Sequence, residues 1–186
     1  SVPLVAQGMV FVGTYGGTMW ALDGQTGATI WSTGGFNMID FSTPSYNGVA
    51  LFFGDFNSQY VALDVGTGAV LWTTSIFGPV GSSTAYANGF VYGAAWDGHL
   101  RVMNATTGAI VDDNKLAAFA STSSPAISRG WVWVEDINGE IYGFGAPGAG
   151  EIRGVEVLPD SADIQVGKAA LFQATGVYAF GNRMPV

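Results

Sequence analysis

His99 is the one imidazole available for acid–base or metal chemistry. A single histidine can serve as a general base, but His99 adjoins the turn pair Asp97-Gly98 and reads as a surface residue. With no second histidine and no cysteine, multi-His sites, thiolate sites and disulfides are excluded. Asp112 and Asp113 would be the paired carboxylates of an acid–base couple. Adjacent residues of a strand point to opposite faces, so one strand cannot aim both at one substrate. Asp40, Asp55 and Glu135 stand near strand ends and are better placed to face a central mouth. Asp136-Ile137-Asn138-Gly139-Glu140 superficially suggests a calcium loop. The 12-residue ligand pattern of such a loop is missing, and Asp and Asn brace turns by a mechanism of their own. Trp20, Trp96, Trp131 and Trp133 could stack on a sugar or a quinone, with packing between sheets as the competing use. Among them Trp96 departs most from its repeat and could face the mouth. Gly13 to Gly17 is Gly-rich, but it precedes a strand, which rules out a phosphate loop opening a helix. Asn104-Ala105-Thr106 is a sequon that could carry a glycan on Asn104 in an exported protein.

Charge narrows the partners. Fourteen acids against six bases leave a net charge of -8, and Arg101, Lys115, Arg129, Arg153, Lys168 and Arg183 are scattered. Nucleic acid, which needs clustered cations, is excluded, and anionic membrane surfaces are disfavoured. No apolar run reaches the ~18 residues of a membrane span. The chain is 48% hydrophobic and only 11% charged, against about 25% charged in an average soluble domain. That composition can bury a large core and suits secreted proteins or proteins of acid media.

The elements that must position these residues recur. Asp23, Asp64 and Asn104 are spaced by 41 and 40, as are Gly27, Gly68 and Gly108. Trp31 and Trp72 are 41 apart, and Gly8, Gly48, Gly89 and Gly130 keep step at 40, 41 and 41. In the second repeat, Ser42 to Tyr46 is a short strand and Asn47-Gly48 a hairpin turn. Val49 to Phe53, Gln59 to Asp64 and Ala69 to Thr73 supply three more strands. Four antiparallel strands in ~40 residues make one propeller blade. The sequence therefore predicts an all-β chain of four such repeats.

Ala21-Leu22-Asp23-Gly24-Gln25-Thr26-Gly27-Ala28-Thr29-Ile30-Trp31 and Ala62-Leu63-Asp64-Val65-Gly66-Thr67-Gly68-Ala69-Val70-Leu71-Trp72 resemble the A-x-D-x-x-T-G-x-x-x-W signature of the PQQ-like repeat of quinoprotein-dehydrogenase-like propellers. The third repeat keeps Asn104, Thr107 and Gly108, and the fourth is degenerate. The resemblance covers residues 1–146. It implies that Trp31 and Trp72 dock between neighbouring blades, while Asp23, Asp64, Gly27, Gly68 and Gly108 brace the turns. In the third repeat Val111-Asp112-Asp113 replaces the Ile-Trp or Leu-Trp pair, and the fourth is expected to stop without an outer strand.

Residues 147–154 read as a linker. Residues 155–186 resemble the opening strands of a bacterial Ig-like surface domain, truncated because such a sandwich needs ~100 residues. The chain is thus expected to be the C-terminal part of a longer propeller, half of one with eight blades, with a closed four-blade ring as the alternative. Open sheet edges would then call for a partner: the missing N-terminal part of the propeller, another chain, or a dimer mate. The expected function is a non-enzymatic module of a secreted or cell-surface protein, acting in assembly, adhesion or protein interaction, without a cofactor. The alternatives are a PQQ- and calcium-dependent quinoprotein dehydrogenase, or another propeller enzyme such as a tetrathionate-hydrolase-like protein.

Overall fold

The computed structural model describes residues 2–116, 123–128 and 130–145 in full, and the backbone of 152–158, 173–178 and 183–185. The architecture is all-β, in four antiparallel sheets. The first sheet is β1 (Leu4–Ala6), β2 (Met9–Gly13), β3 (Met19–Asp23) and β4 (Thr29–Thr33) in that order. The second is β5 (Ser45–Tyr46), β6 (Ala50–Asp55), β7 (Gln59–Asp64) and β8 (Val70–Ser75). The third is β9 (Ala85–Ala87), β10 (Phe90–Ala95), β11 (His99–Asn104) and β12 (Ile110–Lys115). A 3-10 turn at Ile39–Phe41 joins the first two sheets.

The fourth sheet differs from expectation. It begins with β13 (Ala126–Ser128), β14 (Trp131–Glu135) and β15 (Ile141–Gly145), and it does not stop there. β16 (Ile152–Leu158) pairs with β15 with Ile141 opposite Val155, and β17 (Gln173–Tyr178) and β18 (Arg183–Pro185) continue the same sheet. The expectation of a fourth repeat without an outer strand is therefore overturned. The free N–H and C=O groups along β15 are paired by a strand from the stretch read as the start of another domain. Most of the expected linker, residues 147–151, lies outside the described residues, as do 159–172.

Register makes the repeats superimpose. Met9, Ala50 and Phe90 lie opposite Asp23, Asp64 and Asn104, so they hold equivalent places. In each of the first three sheets the pairing of third and fourth strands slips once, between Ala21 and Leu22, Ala62 and Leu63, and Val102 and Met103. The slip leaves Ile30, Leu71 and Val111 unpaired. A bulge of this kind bends the strand and re-aims the next side chain. It turns Trp31 and Trp72 inward while Ile30 and Leu71 stay exposed.

The core lies between sheets. Phe11, Met19, Ala21 and Trp31 of the first sheet pack on Leu51, Phe53, Val61 and Leu63 of the second. Phe52, Tyr60, Ala62 and Trp72 of the second meet Val91, Ala95 and Met103 of the third. Ala94, Leu100 and Leu116 meet Val132 and Val134 of the fourth. A ladder ties the chain's entries into consecutive blades. The Val2 amide donates to Thr43 Oγ1 at 3.1 Å, the Thr43 amide to Ser83 Oγ at 3.0 Å, and the Ser83 amide to Ser124 Oγ at 3.2 Å.

Candidate functional site: the seams between blades

Each seam is built on the turn between the third and fourth strands. Asp23 Oδ1 accepts the Gln25 amide at 3.1 Å, the Thr26 amide at 2.7 Å and the Thr26 hydroxyl at 2.7 Å. Asp64 repeats the pattern with the Gly66 and Thr67 amides and the Thr67 hydroxyl. Bonds to the charged form favour it. The Thr26 hydroxyl, helped by the Thr26 and Gln25 amides, holds Asp23 below the usual carboxylate range, and Thr67 does the same for Asp64. Asn104 keeps the two amide bonds, from Thr106 at 2.9 Å and Thr107 at 3.1 Å.

The preceding blade closes on that turn. Trp31 Nε1 donates to the Val65 carbonyl at 3.0 Å and Thr33 Oγ1 to the Gly68 carbonyl at 2.7 Å. One blade further on, Trp72 Nε1 donates to Ala105 O at 2.9 Å and Thr74 Oγ1 to Gly108 O at 2.6 Å. Gly68 and Gly108 have φ of 72° and 73°, a conformation that costs an L side chain. Close approach excludes one as well. A Cβ on Gly68 would sit 2.5 Å from the Trp31 ring, and one on Gly108 would sit 2.7 Å from that of Trp72. Gly27 has the same φ of 72° but nothing within 4 Å of a Cβ. At the third outer strand Asp112 and Asn114 lie opposite Val102 and Leu100, in the places of Trp72 and Thr74, so no indole crosses to the fourth blade there.

Among the described residues the Asp23 to Gly27 turn meets no indole, and the sheet face beside it is only partly covered. Val10 and Val12 pair with Leu22 and Trp20, in the places of Leu51 and Phe53 with Leu63 and Val61. The second set is 0% exposed, whereas the first is only half-buried and neighbouring Val5 is 70% exposed.

The residues with chemical capacity are dispersed. His99 Nδ1 and Asp113 Oδ1 are 2.6 Å apart, and Arg101, 3% exposed, holds both oxygens of Asp97 and reaches Asp113 Oδ2 at 3.3 Å. Asp112 instead accepts from Asn114 Nδ2 and the Asp113 amide, so the adjacent acids do part company. The His99–Arg101 cluster borders a shallow cleft of about 270 Å³ with Ser75, Ile76, Phe77 and Ile110. Asp55 is buried at the turn between second and third strands, where Gln59 Nε2 donates to it at 2.8 Å, and burial raises its pKa. Asp136, equivalent to Asp55 by register, accepts the Asn138 and Glu140 amides. That bonding is a turn, with Tyr142 Oη bridging Asp136 and Glu140. Glu135 is exposed and Asp40 sits in the 3-10 turn.

Trp96 is 40% exposed and packs edge-on against Phe56, which contacts Phe41, at 5.1 Å in each case. The sequence sets Tyr15 and Phe56 near Trp96 in register, and the structure adds the contact of Phe56 with Phe41, which has no signal in the repeat. Trp131 and Trp133 stack at 5.9 Å over Gly145 and Gly143, and Trp20 lies on the uncovered face of the first blade. Among the described residues no three His, Asp or Glu side chains converge as metal ligands.

Residues 1–55 and 37–149 match the family model of outer membrane protein assembly factor BamB. The chain belongs to the BamB family of PQQ-like repeat proteins. The crystal structure of BamB from Moraxella catarrhalis resembles it with a TM-score of 0.67 at 18% identity, covering 99% of this chain and 63% of that one. The computationally designed protein Ika4 gives a TM-score of 0.69 at 16% identity over 77% of this chain and 88% of the design. A europium-containing methanol dehydrogenase gives 0.54 at 18% identity, over 61% of this chain and 24% of the enzyme. These likenesses establish the propeller fold. The chain spans less than two thirds of the BamB structure it matches. No curated protein matches the sequence.

Proposed function

We propose that the chain is a non-enzymatic propeller module of the cell envelope that acts as an assembly scaffold for other proteins. The observation that supports this most directly is where the repeated residues are used. Asp23, Asp64, Trp31, Trp72, Gly68 and Gly108 are engaged in turns and seams, and the carboxylates outside them mostly brace hairpins or pair with Arg101. Function resides in sites and not in scaffolds, and the described residues converge on interfaces. The name of the matched family, an outer membrane protein assembly factor, agrees in kind. No helix among the described residues is long and apolar enough to cross a membrane.

The test has two arms. Cell fractionation with affinity capture should recover the protein in the envelope with protein partners. Purified protein given PQQ and calcium should show no dye-linked dehydrogenase activity, and should release no products from tetrathionate at low pH. Turnover in either assay, or a purely cytoplasmic location, refutes the proposal.

A further inference from the structure

We infer that Asn88 is a self-modification site: the Gly89 backbone nitrogen displaces its side-chain amide, and the ageing chain carries aspartate or isoaspartate there. The inference stands apart from the scaffold reading. The described residues hold Asn-Gly pairs at Asn47-Gly48, Asn88-Gly89 and Asn138-Gly139. Glycine favours the attack because it has no Cβ to obstruct its nitrogen. Two freedoms are also needed to bring nitrogen and carbonyl carbon together: a side chain able to rotate, and an N–H not held by an acceptor.

The structure separates the three pairs. Asn47 lacks the first freedom, because the Val49 and Ala50 amides donate to its Oδ1 at 2.9 and 2.8 Å and fix the side chain. Asn138 lacks the second, because the Gly139 N–H donates to the Asp136 carbonyl at 3.1 Å. Asn88 has both. It is exposed at the turn between β9 and β10, where Ala87 lies opposite Phe90. Among the described residues no hydrogen bond engages its side chain or the Gly89 N–H. The space beside Gly89 is open, with nothing within 4 Å of a Cβ.

The step balances with water alone. The Gly89 nitrogen bonds to Asn88 Cγ and gives up its proton, the Cγ–Nδ2 bond breaks, and Nδ2 leaves with that proton as ammonia. Water then opens the cyclic imide. Cleavage of the new Cγ–N bond gives aspartate, and cleavage of the bond from nitrogen to the Asn88 main-chain carbonyl carbon gives isoaspartate. Isoaspartate routes the main chain through the side chain and lengthens a tight turn. That turn supports a seam. The Ala105 amide donates to the Gly89 carbonyl at 2.9 Å, and the Ala105 carbonyl accepts Trp72 Nε1 at 2.9 Å. The seam between the second and third blades is therefore the one that loosens. At the seam before it, the Val65 amide donates to the Val49 carbonyl at 2.9 Å, beside the locked Asn47.

The test ages the full chain at mildly alkaline pH, folded and in urea, and follows each pair by peptide mapping with isoaspartyl labelling. In the folded chain Asn88 should convert about tenfold or more faster than Asn47 or Asn138, and in urea the three should convert at similar rates. Asn88→Gly, which suits the positive φ of 50° at this place, should fold and remove the product. In the purified isoaspartate fraction the Trp72 indole N–H should exchange with solvent faster than in fresh protein, with Trp31 unchanged. Asn88→Asp carries the new charge without the longer main chain and should keep Trp72 protected. Equal conversion at the three pairs in the folded chain, conversion led by Asn47 or Asn138, or the same order in urea overturns the site. Undiminished Trp72 protection in the isoaspartate fraction overturns its link to the seam.

Discussion

Three glycines with one backbone conformation and two environments permit a controlled substitution. Gly27, Gly68 and Gly108 have φ of 72°, 72° and 73° at the same place in the turn. Alanine at any of them pays the left-handed penalty, about 1–2 kcal/mol. At Gly27 that is the whole effect, since a Cβ meets nothing within 4 Å. At Gly68 the Cβ would stand 2.5 Å from Trp31 Cε3 and 2.7 Å from Thr33 Oγ1, and at Gly108 2.7 Å from both the Trp72 ring and Thr74 Oγ1. Neither obstacle is a free side-chain end, because each indole and hydroxyl is held by its own hydrogen bond. Forcing a well-packed seam apart costs a further ~1–3 kcal/mol. Gly68→Ala and Gly108→Ala are thus expected to destabilise by about 1–3 kcal/mol more than Gly27→Ala. Urea unfolding followed by tryptophan fluorescence measures the difference directly, with the common strain cancelling. Equal losses for all three variants would refute the claim that the indoles, and not the turn conformation alone, demand glycine.

Other expectations follow from the same seams and from the buried Arg101. Trp72→Phe keeps a ring against Phe52, stacked at 5.8 Å, but orphans the Ala105 carbonyl, for a loss of about 1–3 kcal/mol; Trp72→Ala should lose roughly 3–5 kcal/mol, both read by chemical denaturation. Arg101→Ala leaves Asp97 and Asp113 without their shared guanidinium, at about 3–5 kcal/mol, and a double-mutant cycle with Asp97→Asn should recover part of it. The depressed carboxylates of Asp23 and Asp64 stabilise the fold fully above their unfolded pKa of about 3.9 and lose that contribution as pH falls through the lower folded values. Asp55 works in the opposite sense, since burial raises its pKa and its ionisation disfavours the fold as pH rises. Thermal unfolding from pH 5 to 2 should therefore show less acid loss in Asp23→Asn and Asp64→Asn than in the parent, and slightly more in Asp55→Asn.

The period of 40 and 41 carried the fold class, because each unit had to supply four strands and the turn residues that join them. The fourth sheet was less legible. Its outer strand comes from beyond a Gly-rich stretch, and nothing in the local pattern of Ile152–Leu158 ties it to β15. His99 was read as a surface residue next to a turn, and it does border solvent. Its partner Asp113 lies across the β11–β12 pair, and the buried Arg101 that organises both has no local sequence signal. Asp55 was placed near a strand end, but a strand-end carboxylate can point into a mouth or back into its own hairpin, and only the hydrogen bond to Gln59 distinguishes them.

By itself the sequence determined what each repeat can become, since strand periodicity, Asx turns and glycines act over a few neighbouring residues. It determined the seam chemistry only in kind, as aromatic rings and small residues in step. Which seams exist was decided by tertiary structure. Two nearly identical turns, Asp23 to Gly27 and Asp64 to Gly68, differ because one lies under an indole from another blade and the other lies open. That difference depends on what stacks against a face, which short-range sequence pattern cannot encode.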